Sequence, residues 1–155
     1  MSAFIFNNQG KAKVVHRAEL PAGIKSEGAL LNALSVALQF PDYFGGNWNA
    51  LDECIRNLSW LPPGDVMLSH EDLPLAGDRA PLLNYLSILK DAVEKWNTTG
   101  SNLIFVSPEK RDMTREHALL VKRKLLVVFP LETQHVVQSI LADEQKPVHG
   151  VSPWI

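Results

Sequence analysis

Apolar residues recur at helical spacing in three stretches, which predicts three helices in the first hundred residues. The first spans Ser26–Gln39, with Ser26 as its N-cap. The second spans Asn47–Leu58, and the third begins at Pro81, a residue that suits the first turn of a helix. The apolar positions of the third helix follow an i, i+3, i+4, i+7 pattern: Leu82, Tyr85, Leu86, Leu89, Val93 and Trp96. Each helix therefore has one face to bury.

Short apolar runs alternate with these helices and predict strands. The candidates are Phe4–Phe6, Lys13–His16, Asp65–Ser69 and Asn102–Ser107. The last of these is apolar enough for a central position in a sheet. Strands joined through helices form parallel crossovers, so the pattern predicts an α/β fold with a short, mainly parallel sheet flanked by helices.

The segment beyond Pro108 predicts three further elements. Thr114–Lys124 is a helix candidate, Leu125–Phe129 a strand and Leu131–Ala142 a final helix, and the last residues are expected to be irregular. Because the apolar positions of this segment need burial, we expect it to pack on the same domain as the preceding residues.

The helix at Asn47–Leu58 separates its residues into two faces. At about 100° per residue, one face gathers Trp48, Ala50, Leu51, Cys54, Ile55 and Leu58, and the other gathers Asn49, Asp52, Glu53 and Arg56. A turn with two aromatic residues precedes it, Pro41-Asp42-Tyr43-Phe44-Gly45-Gly46, and Asn47 is a good N-cap. An aromatic turn beside exposed acids predicts a surface that captures a basic partner.

Charge is distributed unevenly along the 155 residues, although the net charge is only −2. Residues 40–95 contain nine acidic and four basic side chains, a net charge of −5. This acidity argues against direct nucleic-acid binding and favours fast encounter with a cationic protein. No apolar run approaches the ~20 residues that span a bilayer, and no export signal is recognisable, so no membrane association is expected and the cytoplasm is the default location.

Residues that could support catalysis are few and scattered. The five histidines show no metal-binding spacing, and the single cysteine, Cys54, excludes an intramolecular disulfide and a cysteine-based zinc site. Asp52, Glu53 and Asp91 lie on polar helix faces, where carboxylates decorate a solvated surface, contact a partner or act in acid–base catalysis. The pattern alone leaves these three roles open, and it implies no cofactor.

The turn and the second helix resemble a motif of the barstar family, intracellular inhibitors that block a ribonuclease secreted by the same cell. The resemblance rests on Pro41-Asp42-Tyr43-Phe44-Gly45-Gly46-Asn47, followed by Asn49-Ala50-Leu51-Asp52-Glu53-Cys54. Over roughly residues 12–107 the predicted order of elements is similar to that of the family, which implies a small three-layer fold with a parallel sheet between helices. On this resemblance, residues 1–107 form a barstar-like domain and residues 108–155 a C-terminal extension packed on it.

The resemblance also implies a partner-binding site. Tyr43 matches the turn aromatic that stacks on the ribonuclease, and Trp48 is a second anchor beside it. Asn47 opens the contact helix. Glu53 matches the acid that occupies the place of substrate phosphate, and Asp91 matches a supporting acid on the third helix. The implied partner is a ribonuclease.

Departures from the family pattern concern the same helix face. Asn49 lies where the family has an acidic contact, Asp52 lies where it has an aromatic one, and Arg56 adds a positive charge. A cognate immunity protein, directed against one ribonuclease or toxin nuclease, therefore fits better than a general ribonuclease inhibitor.

Two other functions remain open from the sequence. A divergent domain of the same family could bind a protein that is not a nuclease, which the reduced acidity of the helix favours. A hydrolase that uses Asp52, Glu53 or Asp91 would need a pocket at these residues, which a two-faced surface helix does not predict.

Overall fold

Short strands alternate with helices in the described part of the chain. The computed structural model describes residues 3–6, 13–99, 101–106 and 117–145. The strands are β1 (Ile5–Phe6), β2 (His16–Leu20), β3 (Val66–His70), β4 (Ser101–Val106), β5 (His117–Lys122) and β6 (Leu125–Phe129). The helices are α1 (Glu27–Ala37), α2 (Trp48–Asn57), α3 (Arg79–Thr99) and α4 (Gln134–Gln145), and a 3-10 turn at Leu131–Thr133 precedes α4.

Four strands form one all-parallel sheet in the order β1, β6, β3, β2. Strand β6 has a neighbour on both sides, since Val128 pairs with Ile5 of β1 and with Ser69 of β3. Strands β4 and β5 pair antiparallel as a separate two-stranded sheet. The α/β class and the parallel crossovers predicted from the sequence are confirmed.

The central position expected for Asn102–Ser107 belongs instead to Leu125–Phe129. Both runs are short and apolar, so their composition does not show which one lies inside the sheet. Backbone pairing with distant strands determines this position. The helix expected at Thr114–Lys124 is also wrong where it can be compared, because His117–Lys122 is β5 and its backbone pairs with β4. Residues 114–116 lie outside the described residues, as do residues 146–155, which were expected to be irregular.

Residues from both ends of the chain share one core. Phe129 of β6 and Val137 of α4 are fully buried with Leu30 and Leu68. The strand predicted at Lys13–His16 lies later in the chain, since β2 begins at His16. Its residues Ala18 and Leu20 are the ones buried in the core. The division of the chain at residue 107 stays a prediction of domain organisation.

Arg123 is a buried cation at the junction between β5 and β6. Its guanidinium donates four hydrogen bonds of 2.6–3.4 Å, all to backbone carbonyls of the segment after α2: Leu58, Leu61, Pro62 and Gly64. The guanidinium carbon also lies 5.3 Å from the ring centre of Trp96. Burial lowers the pKa of Arg123, and the Asp65 carboxylate acts in the opposite direction. The N–H groups of the guanidinium thus donate to carbonyls at the C-terminal end of α2, where the helix dipole favours a positive charge.

His70 connects β3, β6 and α3 inside the core. Its Nδ1 lies 2.8 Å from the carbonyl oxygen of Val128, and its Nε2 lies 2.6 Å from the hydroxyl of Tyr85. Because a carbonyl only accepts, Nδ1 carries the proton and Nε2 accepts from Tyr85. The imidazole also stacks on Phe129, with the ring centres 4.0 Å apart. Burial lowers the pKa of His70 to about 4, so the folded protein holds it neutral.

We expect this histidine to make the fold sensitive to acid. The pKa of His70 is about 4 in the folded state and about 6.5 when unfolded, so the unfolded chain binds the extra proton between these values. Stability therefore falls as pH drops from 6.5 to 4, by roughly 3 kcal/mol from this group. Urea unfolding across that range measures it.

The matched variants are His70→Asn, which keeps a donor but does not titrate, and His135→Gln, which removes an exposed histidine. We expect the pH slope to shrink in His70→Asn alone. Equal slopes in the two variants would contradict the assignment.

Candidate functional site

Helix α2 has a well-defined beginning and end. The side chain of Asn47 accepts a 2.8 Å hydrogen bond from the backbone N–H of Ala50, which is the N-cap expected from the sequence. Gly46 precedes it with a φ of +72°, a conformation that glycine adopts at no steric cost. The helix ends at Leu58, which has a φ of +48°. Helix α2 is thus fixed at both ends by its own sequence.

The buried and exposed residues of α2 agree with the apolar and polar faces predicted from the sequence. The buried residues are Leu51, Cys54 and Ile55, and α3 covers this face, where the Trp96 indole donates a 3.2 Å hydrogen bond to the Ile55 carbonyl. Asn49 and Glu53 are exposed on the opposite face. Burial and the neighbouring Glu53 raise the pKa of Cys54, so this cysteine is a protonated core residue and not a reactive thiolate.

Asp52 and Arg56 form an ion pair on the polar face of α2. Asp52 Oδ2 and Arg56 Nη2 are 3.2 Å apart, and both side chains are partly exposed. Pairs of this i,i+4 type contribute about 0.3–0.5 kcal/mol. The positive charge of Arg56 is therefore held at the helix surface by a neighbour, in an interaction weak enough for a partner to replace.

The two aromatic residues of the turn differ in exposure: one packs against the core and the other lies in solvent. Phe44 packs on Phe40, with ring centres 4.8 Å apart, whereas Tyr43 is 70% exposed. Loss of surrounding water, then the charges of Cys54 and Glu53, raise the pKa of Tyr43, so its hydroxyl stays protonated.

Trp48 has a partner that the sequence did not indicate. The ring is half-buried against the core, and Nε1 donates a 3.0 Å hydrogen bond to Oε1 of Glu27, the first residue of α1. At the other end of the helices, the Trp60 indole donates a 2.9 Å hydrogen bond to the carbonyl of Leu38. Two indole hydrogen bonds therefore connect α1 and its C-cap with α2 and the segment that follows it. Nothing local marks Glu27, since it follows an ordinary N-cap serine.

Asp91 is the predicted site residue that lies on a different helix. It is exposed on α3, the helix that packs on the apolar face of α2. The remaining predicted residues are together on α2 and its turn: Tyr43, Asn47, Trp48, Asn49, Asp52 and Glu53. Six of the seven predicted residues thus lie on the turn and α2, with Trp48 partly buried against the core and Asp91 on the neighbouring helix.

Other chemistry would need a cavity lined by reactive side chains or a cluster of metal ligands. A cavity of about 640 Å³ opens at the carboxyl ends of β2, β3 and β6, and none of Asp52, Glu53 and Asp91 borders it. Within the described ranges no group of three or more histidine, cysteine or acidic side chains is arranged to hold a metal ion. No described helix combines the length and apolarity that crossing a membrane requires.

Comparison with known proteins gives one family. No curated protein and no solved structure matches the chain. The family model described as Barstar (barnase inhibitor) matches residues 16–107, a range that contains α1, α2, α3 and the turn. Members of this family are inhibitors that bind a barnase-like ribonuclease, and they are not enzymes. Because the match covers more than half of its 155 residues, the chain belongs to the barstar family.

Proposed function

We propose that the chain is a cytoplasmic immunity protein that binds and blocks the active site of a cognate ribonuclease or toxin nuclease. The observation that carries this proposal is an exposed Tyr43 in the turn that leads into a capped helix with an exposed Glu53, within the range that the family model matches. An exposed aromatic ring next to a carboxylate is a typical binding hot spot.

The mechanism is steric and electrostatic. Glu53 enters the cationic pocket that binds the substrate phosphate, and Tyr43 stacks on the rim with a hydroxyl that remains a hydrogen-bond donor. Asn47 and Trp48 fix the helix end, and Asn49 presents a neutral amide to the partner. No bond is made or broken, so inhibition lasts as long as the complex.

The remaining acids adapt the surface to a basic enzyme. Asp52 either keeps its pair with Arg56 or exchanges it for a cation of the partner, and Asp91 adds a second acidic contact from α3. The net charge of −5 over residues 40–95 speeds the encounter with a ribonuclease whose active site is cationic.

Replacing Glu53 with alanine tests the proposal. We expect the affinity for barnase, used as the probe enzyme, to fall by about 2–5 kcal/mol, because a cation of the enzyme is left buried and unpaired. The melting temperature should stay close to that of the original protein, since Glu53 is exposed. Inhibition of RNA cleavage and calorimetric titration measure the affinity.

The control is Glu132→Gln, which removes one exposed glutamate in the turn before α4. Its affinity should match that of the original protein. If Glu53→Ala binds as well as the control, Glu53 is not the contact that replaces substrate phosphate and the proposed mechanism is wrong. If the original protein does not bind barnase at low ionic strength, its target is not a barnase-like enzyme.

A second candidate function is favoured by Arg56. A positive charge on the contact face opposes a basic enzyme, and this fits a divergent member of the family whose partner is not a nuclease. Arg56→Ala tests the repulsion itself: it should strengthen binding to barnase through reduced like-charge repulsion. Identification of the natural partner by pull-down separates the two functions.

A further inference from the structure

The contact face of α2 has two different flanks. With about 100° between successive residues, Trp48 lies on the side nearest Asp52, and Glu53 lies on the far side, about 140° away. Tyr43, in the turn that precedes α2, is exposed to solvent. The side opposite Glu53 is bordered by Trp48 and, through the hydrogen bond at Nε1, by Glu27 of α1.

We infer that Glu27 belongs to the partner-binding surface, where one carboxylate oxygen holds the Trp48 indole and the negative charge contacts a lysine or arginine of the ribonuclease. The inference rests on the proposed function and adds to it a residue on α1, outside the turn and helix that carry the family motif. The surface then has an acid at each flank, Glu53 on one and Glu27 on the other.

Three observations support this role. Glu27 is exposed, and in the described part of the chain it forms no ion pair. Its Oε1 accepts from Trp48, which restricts the side chain to a position beside α2. A carboxylate held in place by a hydrogen bond loses less rotamer freedom when a cation binds to it, so it contributes more than a free surface acid.

A purely structural role makes a different set of predictions. A glutamate in the first turn of α1 also interacts favourably with the helix dipole, typically by 0.3–1 kcal/mol. That role affects the melting temperature, but it predicts no change in association rate. The variants below separate the two roles.

The indole contact is tested in the free protein. In a ¹H–¹⁵N spectrum, Glu27→Ala should shift the Trp48 indole N–H resonance and speed its exchange with solvent, because the acceptor is lost. Glu27→Gln retains an acceptor oxygen and should change the exchange rate much less. An indole resonance that is unaltered in Glu27→Ala would overturn the inference without any partner being needed.

The charge contact is tested with barnase as the probe. At low salt, Glu27→Gln should slow association about threefold to tenfold and reduce its dependence on ionic strength, with little change in melting temperature. Glu132→Gln, with the same change in net charge, should associate at the original rate. Trp48→Phe removes the donor that orients Glu27 and should weaken binding while keeping the ring.

The outcomes are distinguishable. If Glu27→Gln behaves like Glu132→Gln while Glu53→Ala loses binding, Glu27 is not a contact residue and the proposed function still holds. If neither Glu53 nor Glu27 affects binding, the proposed mechanism and the role of Glu27 fail together. If the original protein does not bind barnase, a barnase-like target is ruled out for both.

Discussion

Replacing Arg123 with methionine is expected to lower the free energy of unfolding by about 3 kcal/mol. A hydrogen bond from a charged donor contributes about 1.5–3 kcal/mol, and the cost of burying the guanidinium offsets most of the sum over its four bonds. Methionine fills a similar volume and donates nothing, so the carbonyls after α2 lose a donor that water cannot fully replace. For a chain of this size the melting temperature should fall by roughly 6–12 °C. Urea unfolding and a thermal scan measure both quantities.

The neighbouring residue supplies the control. Lys124 is exposed, and Lys124→Met changes the net charge by the same amount without removing the fork of hydrogen bonds. Arg123→Lys keeps the charge but has no planar fork, so it should recover only part of the loss. Equal stabilities of Arg123→Met and Lys124→Met would show that the buried guanidinium contributes nothing to the fold.

Ending the chain at Ser107 is expected to prevent folding altogether. The shortened chain lacks β6, which lies between β1 and β3, and it lacks Arg123 and α4. Among the residues whose side chains the structure describes, it loses six buried apolar ones: Leu125, Val127, Val128, Phe129, Val137 and Ile140. At about 1.5–3 kcal/mol each, their burial is of the same order as the total stability of a domain, about 5–15 kcal/mol.

Circular dichroism, solubility and barnase inhibition test the shortened chain. We expect an insoluble or unfolded product without inhibitory activity, beside a folded full-length control. A folded fragment would contradict the expectation, and it would mean that Ser101–Val106 replaces β6 between β1 and β3. A folded fragment that no longer inhibits would instead place the recognition surface beyond residue 107.

The features predictable from the sequence are those set by neighbouring residues. The N-caps at Ser26 and Asn47, the two faces of α2 and the start of α3 around Pro81 depend on interactions within one or two turns. The exposed Tyr43 could be anticipated because no helical stripe included it. These are also the features that form the turn and the contact helix.

The features that could not be predicted depend on residues distant in the chain. Two apolar runs were equally suited to the centre of the sheet, and only pairing with β1 and β3 distinguishes Leu125–Phe129. The bond from Trp48 to Glu27 crosses from one helix to another. Arg123 reaches carbonyls about sixty residues earlier, and the sequence shows it only as one basic residue among three in succession.

The position of β6 has a consequence for synthesis of the protein. Strand β6, one of the two inner strands of the sheet, is the last of its four strands to be synthesised. Its residue Val128 pairs with Ile5, more than a hundred residues earlier. Such long-range pairing slows folding. At about 5–20 residues per second, the ribosome needs roughly 4–14 s to extend the chain from the end of α2 to the end of β6. A nascent chain therefore carries its contact helix for seconds before it can form the sheet that supports it, and we expect inhibitory activity to appear only after the chain is nearly complete.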